Sequence, residues 1–201
     1  MYTTGSIQHT TPLPVIGSLF TGKLVRLGVL GKESAALMQQ WDSDAEYSRQ
    51  LHGRGIRLMS IAQTEQEIVH DVTESPDEFY FGIYSLADKQ LIGSCAIEPI
   101  WSHRNAWVAI GIGDRAYRGR GYGTDAMRLL IGFGFRELDL HRITLGVFSY
   151  NTRAIRSYEK AGFTREVVRR AALYRDGKRH DELTMGILRR EWDTQQQQER
   201  T

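Results

Sequence analysis

"YRGRGYGTDAMRLL" occupies Tyr117–Leu130, and the rest of the chain is read outward from it. Glycines alternate at positions 119, 121 and 123, with arginines at 118 and 120, and a largely apolar run follows. Between a strand and a helix, successive backbone N–H groups and the helix dipole form an anion site. Glycines let the chain take positive φ and approach phosphate oxygens closely. The pattern is no dinucleotide fingerprint, because that would need glycine where Thr124 stands. Nor is it a P-loop, since no Gly-Lys-Ser/Thr follows. A nucleic-acid-binding RG tract would repeat many times and commit to no helix. A phosphate cradle and a plain loop ahead of a core helix both fit the local pattern.

The flanks supply the setting. "NAWVAIGIG" (Asn105–Gly113) ahead of the stretch reads as a strand, and Thr124–Leu138 behind it reads as a helix. Asp125, Arg128, Gly132 and Arg136 share one helical side, and the remaining positions are mostly apolar, so the helix should be largely buried. Upstream, "KLVRLGVL" (Lys23–Leu30) predicts a strand and "KESAALMQQW" (Lys32–Trp41) a helix. A short helix is expected within 42–61. "TEQEIVHDV" (Thr64–Val72) follows, its Thr64 and Glu67 spaced as a capping box. "EFYFGIYSL" and "QLIGSCAIEPI" complete an antiparallel meander with the 105–113 strand. Downstream, "RITLGVF" is a strand, Asn151 caps "TRAIRSYEKA", and Gly162 stops it. "REVVRRAALY" and "DELTMGILRREW" flank the hairpin turn Arg175-Asp176-Gly177-Lys178. The fold class is α+β (mixed α/β), with residues 1–22 a flexible leader or strap, 23–192 the domain and 193–201 a disordered polar tail.

Composition excludes several classes. A net charge of +2 on 201 residues, 41% of them apolar, describes an ordinary globular chain. It gives no general reason to expect nucleic acid or a membrane as partner. Cys95 is the only cysteine, so no intramolecular disulfide can form and a reducing, cytoplasmic setting is the default. No metal-ligand pattern is visible.

Arg118-x-x-Gly121-x-Gly123 together with "YNTRAIRSYEKAGF" (Tyr150–Phe163) resembles the GNAT N-acetyltransferase superfamily. The ending "RDGKRHDELTMGIL" is similar to the closing hairpin of its ribosomal-protein, RimJ/RimL-like branch. The resemblance covers Lys23 to about Trp192. It implies a mostly antiparallel central sheet, flanked by helices and splayed between its fourth and fifth strands, with acetyl-coenzyme A in the gap as co-substrate. It assigns Ile110 and Ile112 to the pantetheine arm. Arg118, Gly119, Arg120, Gly121, Gly123 and Thr124 would hold the pyrophosphate. Asn151 would bond the cofactor near its thioester, and Tyr158 would face the sulfur as general acid.

One departure matters. Many relatives carry a glutamate in the strand before the cradle, where Trp107 stands here. Glu98 in the preceding strand is a substitute base or a rim charge. A site without a strand carboxylate suits an acceptor whose amine is already partly neutral. A protein α-amine, with pKa about 8, meets that condition better than a lysine-like amine near 10.4. Asp42, Asp44 and Glu46 border the family's acceptor cleft and could instead attract a polyamine, although Arg49, Arg54 and Arg57 lie nearby. A coenzyme-binding module without catalysis is a further reading. The oligomeric state is open.

Overall fold

The computed structural model describes residues 19–198 except 75 and 76. Of thirteen principal elements, the first twelve follow the expected order and the last helix is unexpected. They are β1 (Val25–Gly28), α1 (Ala35–Asp42), α2 (Ala45–Leu51), α3 (Ile61–Val69), β2 (Phe79–Ser85), β3 (Leu91–Ile100) and β4 (Asn105–Ile112). After the glycine stretch come α4 (Tyr122–Arg136), β5 (Arg142–Phe148), α5 (Thr152–Ala161), β6 (Thr164–Arg175), β7 (Lys178–Leu188) and α6 (Arg189–Gln198). The strands form one sheet in the order β1-β2-β3-β4-β5-β7-β6.

Every neighbouring pair is antiparallel except β4 and β5. Those two run parallel and pair only at Asn105/Arg142, Ala106/Ile143 and Trp107/Thr144. Beyond that third pair they diverge while each stays bonded to its outer neighbour, β4 to β3 and β5 to β7. The split falls between the fourth and fifth strands, as the resemblance implies.

Alternation sorts the two faces. Ala106 and Val108 of β4, and Ile143, Leu145 and Val147 of β5, are buried in the main core with α4 and α5. Side chains in β-strands alternate, so Trp107, Ala109 and Gly111, with Thr144, Gly146 and Phe148, look toward the opposite face. There α2 and the β6–β7 hairpin stand. Arg175 at the hairpin tip donates to the carbonyls of Arg49 (2.5 Å) and His52 (3.1 Å), capping the C-terminal end of α2. The same guanidinium donates to the Tyr150 hydroxyl at 2.7 Å, and Arg49 pairs with Asp176 at 2.9 Å.

Three expectations need correction. The capping box of α3 is Ser60 with Gln63, not Thr64 with Glu67. Thr64 is buried one turn later, and its hydroxyl donates to the Ser60 carbonyl at 3.3 Å. Helix α4 begins at Tyr122 rather than Thr124, because Gly121, with φ of +92°, already turns the chain into it. The polar tail expected to be disordered from 193 is helical to Gln198, since buried Trp192 packs on Phe135 with ring centroids 5.4 Å apart. The leader falls mainly outside the described residues, except that Phe20 accepts a bond from the Leu27 N–H at 2.8 Å and packs on Phe133. Among the described residues no helix is long and apolar enough to cross a membrane.

Candidate active site

The divergence of β4 and β5 opens a cavity of about 830 Å³, which runs from the glycine stretch to the last strand pair. Val108 to Ile112 of β4 form one wall, and Gly146 and Val147 of β5, with α5, form the other. Gly119, Gly121, Gly123 and Thr124 line its far end. Gly119 and Gly121 both have positive φ, and no atom lies within 4 Å of where a Gly119 side chain would start. Gly123 and Thr124, in the first turn of the 15-residue α4, line the cavity at the positive end of that helix. An elongated cavity with a cradle at one end fits a diphosphate-bearing, amide-rich ligand such as acetyl-coenzyme A. Thr124 Oγ1 lies 2.7 Å from Ser157 Oγ, tying the start of α4 to α5. Ser157 went unnoticed in the sequence because serine in a helix carries no pattern of its own.

The two arginines of the stretch behave differently. Arg120 is exposed, donates to the Ala116 carbonyl at 3.1 Å, and rests near the Tyr122 ring. It stands beside the lining residues Gly119 and Gly121 but does not itself line the cavity. The Arg118 side chain is mostly covered and its guanidinium is occupied. Nε donates to the Ile112 carbonyl at 2.9 Å, Nη2 to the Gly113 carbonyl, and both terminal nitrogens reach Asp44 Oδ2 at 3.3 Å. It braces the loop against the end of β4, and the residue lines the cavity. The Ile112 carbonyl is thus engaged; Ile110 and Ile112 line the wall and pack on the core.

The segment expected to meet the acceptor is largely neutralised. Asp44 caps α2 and takes a two-pronged contact from Arg115 at 2.7 and 2.9 Å. Those arginine bonds hold its carboxyl well below the usual carboxylate range. Glu46 lies 3.7 Å from Arg115. Burial pushes the Asp42 carboxyl up, and Glu67 adds to the effect. An unpaired trio of negative charges is not what the structure presents at 42–46.

Asn151 is buried at the start of α5, where its Oδ1 accepts from the Ala154 N–H at 3.2 Å while the residue lines the cavity. It is a helix cap and a wall residue together. The Tyr158 ring packs on Phe163, and its hydroxyl has no hydrogen-bond partner among the described residues. Burial pushes this phenol up to about 12. Opposite stands Tyr47 of α2, missed in the sequence because only the third dimension brings it here. It covers Gly111, where any side chain would overlap its hydroxyl, and burial raises its phenol too. Glu98 pairs across from Trp107, on the far side of that indole from the cavity in strand order. Desolvation, then Glu78 and Asp71, push its carboxyl up.

Residues 27–164 match the family model described as an acetyltransferase (GNAT) domain. "Probable N-acetyltransferase YjcK" of Bacillus subtilis is 37% identical over 118 residues, 57% of this chain and 64% of its own length. The chain thus aligns with less than two thirds of that relative. The spermidine N(1)-acetyltransferase of Vibrio cholerae is 32% identical over 103 residues, 51% of this chain and 59% of its own. A crystal structure titled as that organism's spermidine N-acetyltransferase with CoA and spermine superposes with a TM-score of 0.74. It is 22% identical, over 84% of this chain and 97% of the other, and shows likeness of fold.

Proposed function

The chain belongs to the acetyltransferase (GNAT) domain family, and on that premise we propose that it transfers an acetyl group from acetyl-coenzyme A to a primary amine. The observation that carries this reading is the three-rung pairing of β4 and β5 followed by a cavity with an anion cradle at one end. When bound, the coenzyme supplies the acetyl group as a thioester. Gly119, Gly121, Gly123 and Thr124, with Arg120, would hold its diphosphate. Ile110, Ile112 and Asn151 would line the arm, and Arg118 would keep the loop seated.

Direct attack by an amine asks the site for proximity, a neutral nucleophile and a proton for the leaving thiolate. Tyr158 suits the last task. Its phenol stays protonated throughout the neutral range, and its free hydroxyl opens on the cavity. Thiolates of pKa near 8.5 need only a hydrogen bond or a late proton.

The acceptor reading is a protein N-terminal α-amine. Neutralisation of Asp44 and Glu46 by Arg115 supports it, because a polycation gains little from paired carboxylates. One observation favours a polyamine instead: beyond the burial that raises the Glu98 carboxyl, Glu78 and Asp71 lie close enough to add to the effect. Thiol release from acetyl-coenzyme A, measured with a serine-initiated peptide and with spermidine, tests both. Turnover with the peptide alone supports the first reading, turnover with spermidine alone the second, and turnover with neither removes the activity.

A further inference from the structure

The last paired residues on the acceptor face are Trp107 and Thr144. One step further along that face, the diverging strands offer only Ala109 and Gly146, and both line the cavity. Small residues at this level leave a window from the α2 side of the sheet to the point where the strands part. Gly111, one step beyond Ala109, is covered by the Tyr47 hydroxyl, so the window is bounded on that side by α2.

On the β5 side the window is bounded by a carboxylate. A side chain added at Gly146 would start 3.3 Å from Glu182 Oε1. Glu182 stands on β7 opposite Phe148, and its neighbour Thr184 stands opposite Gly146. Its other oxygen, Oε2, accepts from Arg169 Nη1 of β6 at 2.5 Å. That bond fixes the carboxylate and leaves Oε1 with no hydrogen-bond partner among the described residues, turned toward Gly146. The other charged groups on this face include the Arg142–Glu166 pair, the Arg49–Asp176 pair and Arg175 on the carbonyls of α2, with His180 set edge-on against Tyr150. Glu98 is less well placed, because Trp107 stands between it and the window in strand order.

We propose that Glu182 receives the acceptor amine, with Oε1 accepting a proton from an ammonium group that enters between Ala109 and Gly146. The assignment rests on the transfer reading above and supplies the carboxylate that β4 lacks. The protons balance. An acceptor ammonium gives one proton to Glu182 Oε1 and becomes a neutral amine. Its nitrogen forms the new N–C bond as the C–S bond breaks, and the electron pair of that bond goes to sulfur. Tyr158 Oη delivers its proton there and regains one from the acylated nitrogen. Glu182 loses its proton to water, so the products are an amide, a thiol and one released proton.

Glu182→Gln keeps the shape and an acceptor for Arg169 but cannot take the proton. With a serine-initiated peptide or spermidine, whichever the wild-type protein uses, kcat/KM near pH 7 should fall by about 10² or more. The deficit should shrink toward pH 10, where amines lose the proton unaided. Coenzyme A affinity by calorimetry should stay within about twofold, which shows that the fold is intact. A fall of less than about threefold with an unchanged pH profile overturns Glu182 and leaves the transfer reading standing. A readout independent of turnover is an amide-NMR titration of the coenzyme A-saturated protein with n-butylamine. The Gly146 and Thr184 amides should shift in the wild type and not in Glu182→Gln. Absence of those shifts in the wild type, or equal shifts in both proteins, overturns the assignment even if neither acceptor is turned over.

Discussion

Arg118, which lines the cavity, meets Asp44 guanidinium to carboxylate at 3.3 Å, although they stand 74 positions apart in sequence. The pair joins the glycine loop to the N-terminus of α2, and Arg115 joins the same carboxylate from outside. Asp44→Asn removes the charge and keeps a hydrogen-bonding cap. Unfolding free energy should drop by about 1–2 kcal/mol, a partly exposed charged hydrogen bond being worth less than a buried one. Because the folded-state carboxyl is depressed, the wild-type contribution is complete above the unfolded value of about 3.9 and is lost as pH falls toward the folded value. Denaturation followed from pH 7 to pH 2 should therefore show wild type and variant converging only at the acid end. A constant gap would assign the stabilisation to something other than the charge.

Gly121→Val should abolish coenzyme A binding while the protein still folds. The position has φ of +92°, which a β-branched residue resists, and the new side chain would start 3.4 Å from Leu24 at the cradle. Strain of about 1–3 kcal/mol is within what a domain of this size tolerates. Calorimetry with coenzyme A, beside a melting curve, reads both effects. Wild-type affinity in a folded variant would remove the cradle from this loop.

Tyr158→Phe retains the packing on Phe163 and deletes one hydroxyl. The expected result is a fall in kcat of about 10²–10⁴ with coenzyme A affinity little changed. Since burial holds the wild-type phenol near 12, its ionisation should put no descending limb on the kcat profile below about pH 10.5. A loss of less than about threefold would return Tyr158 to a packing role.

Acceptor preference should itself depend on pH. Near pH 7.5 a peptide α-amine should be acetylated faster than a lysine side chain, because the latter costs roughly 4 kcal/mol to deprotonate. Raising the pH should narrow the difference. Competition between a serine-initiated peptide and its N-terminally blocked, lysine-containing counterpart, read by mass spectrometry, checks this. A lysine preference at neutral pH would contradict the α-amine reading.

How far the sequence disclosed all this depends on the range of the interaction concerned. Strand alternation and the 3.6-residue period are local, so the meander, α4 and the cap at Asn151 were legible. Gly119 and Gly121 were legible because positive φ is written in residue type. The start of α3 was misread because Ser60/Gln63 and Thr64/Glu67 have the same spacing, and only burial of Thr64 decides between them. Helix α6 was missed because one aromatic, Trp192, anchors a segment whose glutamines read as polar tail. Arg118 looked like a phosphate ligand beside Arg120. A buried guanidinium must find partners, and Asp44, which looked like a substrate carboxylate, comes from far along the chain to be one. Tyr47 meets Gly111, and Glu182 meets Gly146, only across neighbouring elements of the fold, a relation no linear pattern encodes.

The three rungs between β4 and β5 have a consequence for the sheet as a whole. An ordinary open sheet has two edges; one that splits part-way has four, two of them facing each other inside the molecule. Outer edges invite neighbouring chains to pair with them, but the inner ones are flanked by α2, α4 and α5 and are closed to a passing strand. Their unpaired amides are accessible to a narrow, extended guest that carries amides of its own. The inward-facing amides beyond the last rung should be among the least protected in the sheet, and amide hydrogen exchange across Val108–Ile112 and Leu145–Phe148 should slow on ligand binding. The inner edges of the split sheet are thus shaped to pair with one extended chain rather than with a second protein strand.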